Sequence, residues 1–110
     1  MDRAELARNI YTVSHLTGEF TLRSGVVSHE YFDKYRFESD PALLRAIAEA
    51  MAEALPQGVD ALAGLELGGV PLATMLSQVS GLRALFVRKE AKTYGTCKLA
   101  EGGELDRTRF

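Results

Sequence analysis

The residues best suited to chemistry lie in one stretch, Arg88–Gly103, RKEAKTYGTCKLAEGG. It sets Arg88, Lys89, Lys92 and Lys98 against Glu90 and Glu101, a net of +2 in a chain whose total is −2, so the other residues together carry −4. Arg88, Lys89 and Lys92 follow the apolar run LRALFV, and the C-terminal ends of such strands are where α/β folds bind ligands. The segment exceeds the ~12–15 residues beyond which structureless loops are usually functional or disordered. Gly95, Gly102 and Gly103 let it open and close. Residues of these types make a basic lid for a phosphate-bearing ligand; a solvated surface loop with incidental lysines fits the same pattern.

Two further groups carry chemistry. Glu66-Leu67-Gly68-Gly69-Val70-Pro71 leaves an apolar strand and enters a helix. Its glycines admit a ligand close to the backbone, and the helix N-terminus supplies N–H donors for a phosphate or pyrophosphate. A tight turn without a ligand is the alternative, and Gly-Gly alone is weak evidence against it. Arg23, expected near Tyr31 and Phe32, forms a cationic and aromatic corner suited to stacking a flat anionic heterocycle; the alternative is that both rings are core or interface aromatics. His15 and His29 have no partner at metal-ligand spacing, and no protein-held metal is expected. Cys97 lies beside Lys98 but lacks a paired histidine, so it reads as a bystander.

The elements that must position these groups follow from capping and periodicity. Asp2, with Glu5 three residues on, starts a helix carrying Leu6, Ile10 and Val13 and ending at Thr17-Gly18. EFTLRSG and EYFDKYRFE alternate and are joined by a turn, which predicts an antiparallel ribbon. Asp40-Pro41 starts a second helix with Leu44, Ile47, Met51 and Leu55 on one stripe, stopped by Pro56-Gln57-Gly58. A strand over Ala61–Leu65, a Gly68-Gly69 turn, a helix from Pro71 to the Gly81 cap and the strand LRALFV make a βαβ unit with parallel strands. Glu104-Leu105-Asp106 reads as the approach to another strand.

At 110 residues, 46% hydrophobic and 25% charged, the chain suits one soluble domain. The small negative charge gives no footprint for nucleic acid or a membrane surface. A single cysteine excludes an internal disulfide and fits a reducing compartment. The charged start MDRAELARN has no signal-peptide core, and no run approaches the ~18 apolar residues of a membrane span. A cytoplasmic location is expected.

In this order, FTLRSGVVSHEYFD, GLELGGVPLA and VRKEAKTYGTCKLAEG resemble the orotate phosphoribosyltransferase family, over nearly the whole chain up to about Asp106. The resemblance implies transfer of the 5-phosphoribosyl group from 5-phosphoribosyl 1-pyrophosphate (PRPP) to orotate, giving orotidine 5′-monophosphate and pyrophosphate, a step of UMP biosynthesis. It implies Mg²⁺ bound through PRPP, and a homodimer whose catalytic loop reaches the other subunit. The implied fold is α/β, a Rossmann-type parallel sheet of the phosphoribosyltransferase kind under a hood of N-terminal helix and antiparallel ribbon. Residues 1–38 would form the hood and 39–110 the partial core, with the catalytic loop at 88–103, all in one domain.

By position, Lys89 and Lys92 match the catalytic groups. Arg88, Lys89, Lys92 and Tyr94 of the loop, with Leu67, Gly68 and Gly69 of the turn, match PRPP and pyrophosphate contacts. Arg23, Tyr31 and Phe32 match the orotate side. Tyr94 stands where many members have histidine, and Arg23 where lysine is frequent. Members continue past this loop into a strand and an acidic, Thr- and Gly-rich ribose-phosphate segment. Arg107-Thr108-Arg109-Phe110 does not resemble that continuation, so the expected sheet is incomplete at its C-terminal side and the chain reads as truncated. A non-catalytic paralogue that dimerises or binds ligand weakly is the alternative function, and an unrelated phosphate-binding βαβ fragment a third.

Overall fold

A computed structural model describes residues 1–110, which form two compact units, Met1–Ala46 and Ile47–Phe110. In the first unit, helix α1 (Arg3–Ser14) begins where the Asp2 carboxylate accepts a hydrogen bond from the Glu5 N–H at 2.8 Å. This is the expected N-cap, one of the groups that satisfy the orphan donors of a first turn. The helix stops before Thr17-Gly18. The backbone is already extended at His15, and strand β1 (His15–Thr21) pairs antiparallel with β2 (Val27–Phe32), His15 opposite Phe32 and Thr21 opposite Val27. Cross-strand bonding to β2 overrides the helical spacing, and the Ser14 carbonyl accepts the Asp33 N–H at 2.9 Å.

A second expectation fails just beyond. The run KYRFE is helix α2 (Lys34–Glu38), not the end of a strand. Asp33 caps it by accepting from the Tyr35 N–H at 3.1 Å, and Lys34 pairs with Glu38 across one turn at 2.9 Å, the spacing that favours a helix. Phe37 is thereby buried, 6.3 Å from the Phe32 ring. Helix α3 (Pro41–Glu53) starts as expected, with Asp40 accepting from the Leu43 N–H at 3.0 Å. Leu43, Leu44 and Ala48 are its buried residues. Met51, expected on that stripe, is exposed and lines an open apolar groove with Leu55, Leu72 and Phe110.

The second unit holds β3 (Ala61–Leu65), α4 (Gly69–Ser80), β4 (Arg83–Val87) and β5 (Ala100–Glu101). β3 and β4 are parallel, Ala61 opposite Arg83 and Leu65 opposite Val87, which realises the expected βαβ pair. Helix α4 begins at Gly69, two residues before Pro71, and ends at Gly81, whose φ of 80° is the left-handed cap conformation that glycine adopts without Cβ strain. Gly64 is required by closeness instead: a Cβ there would lie 2.8 Å from the Ala73 Cβ. The core is built of small and branched apolar residues, Ala61, Leu62, Ala73, Leu76, Leu85 and Ala100, which lets the helix sit tightly on the strands.

Two expectations about the end of the chain change. The lid does not run loose to Gly103, because Ala100–Glu101 pairs antiparallel with β4 as a third strand, in the order β3-β4-β5. Glu104-Leu105-Asp106 leads into a turn instead of a strand, with the Thr108 N–H on the Leu105 carbonyl at 3.2 Å. The Arg109 carbonyl then accepts the N–H groups of Asp60 (2.7 Å) and Ala61 (3.2 Å), covering the start of β3.

Candidate functional site

Parallel strands place the C-terminal ends of β3 and β4 side by side, so the segments leaving them meet. The Glu66 N–H donates to the Val87 carbonyl at 2.8 Å, continuing the pairing one step past β3. The Glu66 carboxylate then accepts the Lys89 N–H at 2.6 Å. A side chain of the turn thus grips the root of the lid. Between Glu66 and α4, Leu67 is exposed and its carbonyl accepts the Val70 N–H at 3.0 Å, and Gly68 is the N-cap. The turn enters a helix whose N-terminal partial charge is positive, at the same end of the sheet as the lid cations.

The lid is a closed loop with its ends bonded together. The Arg88 N–H donates to the Leu99 carbonyl at 2.8 Å, and the Lys92 N–H to the Lys98 carbonyl at 3.3 Å. Its side chains converge. Arg88 Nε and Lys92 Nζ both reach Glu101 Oε2, at 2.9 and 2.7 Å. Lys98 pairs with Glu104 at 2.9 Å. Lys92 Nζ also lies 5.6 Å from the Tyr94 ring centroid, within cation–π range. Lys89 is exposed and is the one loop cation without an acidic partner.

These pairs move the acid–base equilibria in the directions that charge requires. Hydrogen bonds from Lys92 and then Arg88 hold the Glu101 carboxyl below its ordinary value, against a smaller opposing effect of desolvation. The same bond to Glu101 raises Arg88 further. Lys98 lowers Glu104. Arg88, Glu101 and Glu104 are therefore charged throughout the neutral range.

The structure brings together the residues assigned to PRPP: Arg88, Lys92 and Tyr94 in the lid, Lys89 at its root, and Leu67, Gly68 and Gly69 in the adjoining turn. It does not assemble the aromatic corner. Tyr31 lies opposite Leu16, near the start of β1, whereas Arg23 follows the end of β1 in the turn. The four residue steps from Val27 to Tyr31 alone span about 13 Å of strand. Tyr31 and Phe32 also point to opposite faces, as neighbours on a strand must: Tyr31 stacks on Phe20 at 5.5 Å, and Phe32 lies against Phe37. His15 stacks on Tyr11 at 4.4 Å and meets Glu30 at 3.0 Å. Cys97 is free and exposed.

Two residues escaped the sequence reading. Glu66 was legible only as part of a turn, and Glu101 only as a charge to subtract from the loop. Their partners are 23 and 13 positions away, and no local spacing rule joins such pairs. No group of three or more His, Cys, Asp or Glu side chains is arranged to hold a metal ion. No helix is long and apolar enough to cross a membrane.

No family model matches the chain. Individual proteins do. An orotate phosphoribosyltransferase of Nocardioides sp. is 61% identical over 102 residues, 93% of this chain and 57% of that protein. One from Methanocella arvoryzae is 48% identical over 85 residues, 77% of this chain and 49% of that protein. The crystal structure of Mycobacterium tuberculosis H37Rv orotate phosphoribosyltransferase with inorganic phosphate superposes with a TM-score of 0.77 at 30% identity, over 96% of this chain and 60% of that one. The chain spans about half the length of the curated relatives it matches.

Proposed function

Since the chain belongs to the orotate phosphoribosyltransferase family, we propose that the protein transfers the 5-phosphoribosyl group from PRPP to orotate, releasing pyrophosphate and forming orotidine 5′-monophosphate for UMP synthesis. The observation that carries this reading is the pairing of Arg88 and Lys92 through one carboxylate oxygen, with Lys89 exposed beside them, in a loop at the C-terminal end of the parallel strands.

The chemistry suits the groups present. Breaking the anomeric C–O bond leaves cationic character on the ribose and builds negative charge on the departing pyrophosphate. Cations already positioned where that charge develops stabilise the transition state more than the ground state. Lys89, unpaired and exposed, meets the leaving group directly; Arg88 and Lys92 clamp it, with Tyr94 backing Lys92. Leu67, Gly68 and Gly69 approach the pyrophosphate through the backbone. Lid closure excludes water from the cationic ribose. The side chains here do not fit a protein-held metal, so Mg²⁺ would arrive on PRPP oxygens.

Residues 1–38 supply the orotate side in this reading. Arg23 acts from the ribbon tip, and one of the two rings, Tyr31 or Phe32, from its far end, since they face opposite ways. The protein works as a cytoplasmic homodimer in which each lid completes the partner's site, as a two-fold axis permits. Orotidine 5′-monophosphate formed from orotate, PRPP and Mg²⁺ by the purified protein supports the reading; a folded protein that forms none overturns it. Mixing the inactive variants Arg23→Ala and Lys89→Ala tests the shared site. Recovery of roughly a quarter of native activity, from heterodimers with one intact site, is expected for a C₂ dimer.

A further inference from the structure

The lid's two clamping cations are not vacant. Both are bonded to a single oxygen, Glu101 Oε2, so Arg88 Nε and Lys92 Nζ lie no farther apart than the sum of 2.9 and 2.7 Å. That spacing is one that a single phosphate oxygen, or two oxygens of one phosphate, can bridge. The carboxylate and the cations also differ in how they are held. Glu101 belongs to β5, opposite Phe86, next to the buried Ala100. Arg88 and Lys92 lie at the start of the loop, outside any strand. The carboxylate is anchored to the sheet and the cations come to it.

We propose that Glu101 is a resident counterion that neutralises Arg88 and Lys92 in the free lid and gives them up, by exchange, to the pyrophosphate group. The proposal rests on the reading of the lid as a PRPP and pyrophosphate site. Two cations this close repel each other, and an anion between them cancels that repulsion. Glu101 fills that place until the ligand arrives, so its charge competes with the ligand's for the same two cations. The exchange is favourable because pyrophosphate carries several charges where the carboxylate carries one, and Arg and Lys bind phosphate strongly. It is accessible because the pairs are partly exposed, with Glu101 26% and Arg88 38% exposed in their side chains, and such pairs are weak. The same arrangement imposes a cost: the ligand must displace a competitor.

The test is calorimetric titration of inorganic pyrophosphate into the native protein and three variants. E101Q removes the competitor's charge and is expected to bind pyrophosphate about five-fold tighter, the scale set by two weak ion pairs. E104Q removes the acidic partner of Lys98 and is expected to stay within about two-fold of native. E101D keeps the charge one methylene shorter and should likewise stay near native. In parallel, the Arg88 Nε–H resonance should shift when pyrophosphate is added to the native protein, and should start from a different position in E101Q. If the native protein binds and E101Q binds equally or more weakly, the exchange idea is overturned while the lid's ligand stands. Tightening in E101D as large as in E101Q also overturns it, because packing and not charge would then be responsible. If neither native protein nor E101Q binds pyrophosphate, both the exchange and the underlying site assignment fall.

Discussion

The lid of the second unit and the ribbon of the first were nominated on the same ground, a basic residue near others that suit an anionic ligand. They fare differently. In the lid, Arg88 and Lys92 are drawn onto one carboxylate oxygen, and the root is tied to the neighbouring turn through Glu66. In the ribbon, Arg23 falls at the tip, and the two aromatics point to opposite faces at the other end. Charged groups a few residues apart in a loop can fold onto a common partner. Residues on a strand are separated by its rise and its alternation, and no side-chain flexibility reverses that.

The sharpest test of the contrast is catalytic. Lys89→Ala should lower kcat by about 10²–10³-fold, the usual loss for one preorganised charge-stabilising group, in steady-state assays of nucleotide formation. A smaller loss than that of Arg23→Ala would reverse the ranking of the two regions. The next effect is structural. Gly64→Ala places a methyl against the Gly69 carbonyl and Ala73, and should cost about 1–3 kcal/mol, read as a lower denaturation midpoint with a ribbon that keeps its native amide spectrum.

Tyr31→Ala and Phe32→Ala should differ in kind. Both rings are about half exposed, Phe32 at 48% and Tyr31 at 45%, but on opposite faces of β2, Phe32 beside the buried Phe37 and Tyr31 against Phe20. One face can meet a given orotate, so one of the two losses should raise KM for orotate by up to about tenfold, on the scale of one aromatic contact, and the other should leave it unchanged. An equal rise in KM from both would mean that the two rings line one pocket after all. The smallest effect is with pH. Glu101 and Glu104 are held below the ordinary carboxylate value of 4.5, so their contribution is fully present above that value and is lost as the pH falls through the lowered folded value. Amide exchange in the lid should gain protection relative to the ribbon on the rising side of that acid window. An unchanged ratio would show that the ion pairs do not order the lid.

How much of this was legible depends on how far each interaction reaches along the chain. Asp2 and Asp40 as caps, β3 over Ala61–Leu65 and the cap at Gly81 were read correctly, because each rests on contacts within about one turn or on a short apolar run. KYRFE reads as a strand because its alternation is real, while the Asp33 cap and the Lys34–Glu38 pair that decide for helix compete with it locally. The early start of β1 and the existence of β5 were not legible, since each depends on a partner strand that a local window does not contain.

Residue order along the chain is enough for the make-up of the lid, its excess of positive charge, the glycine turn that precedes α4 and the likeness to one enzyme family. Which charges meet depends on the fold. A net of +2 counts Glu101 as one unit of subtraction, but pairing of β5 with β4 carries that carboxylate back to Arg88 and Lys92 and leaves Lys89 as the unpaired cation. Charge is additive along a chain, whereas an ion pair depends on distance in space, which the strand register sets.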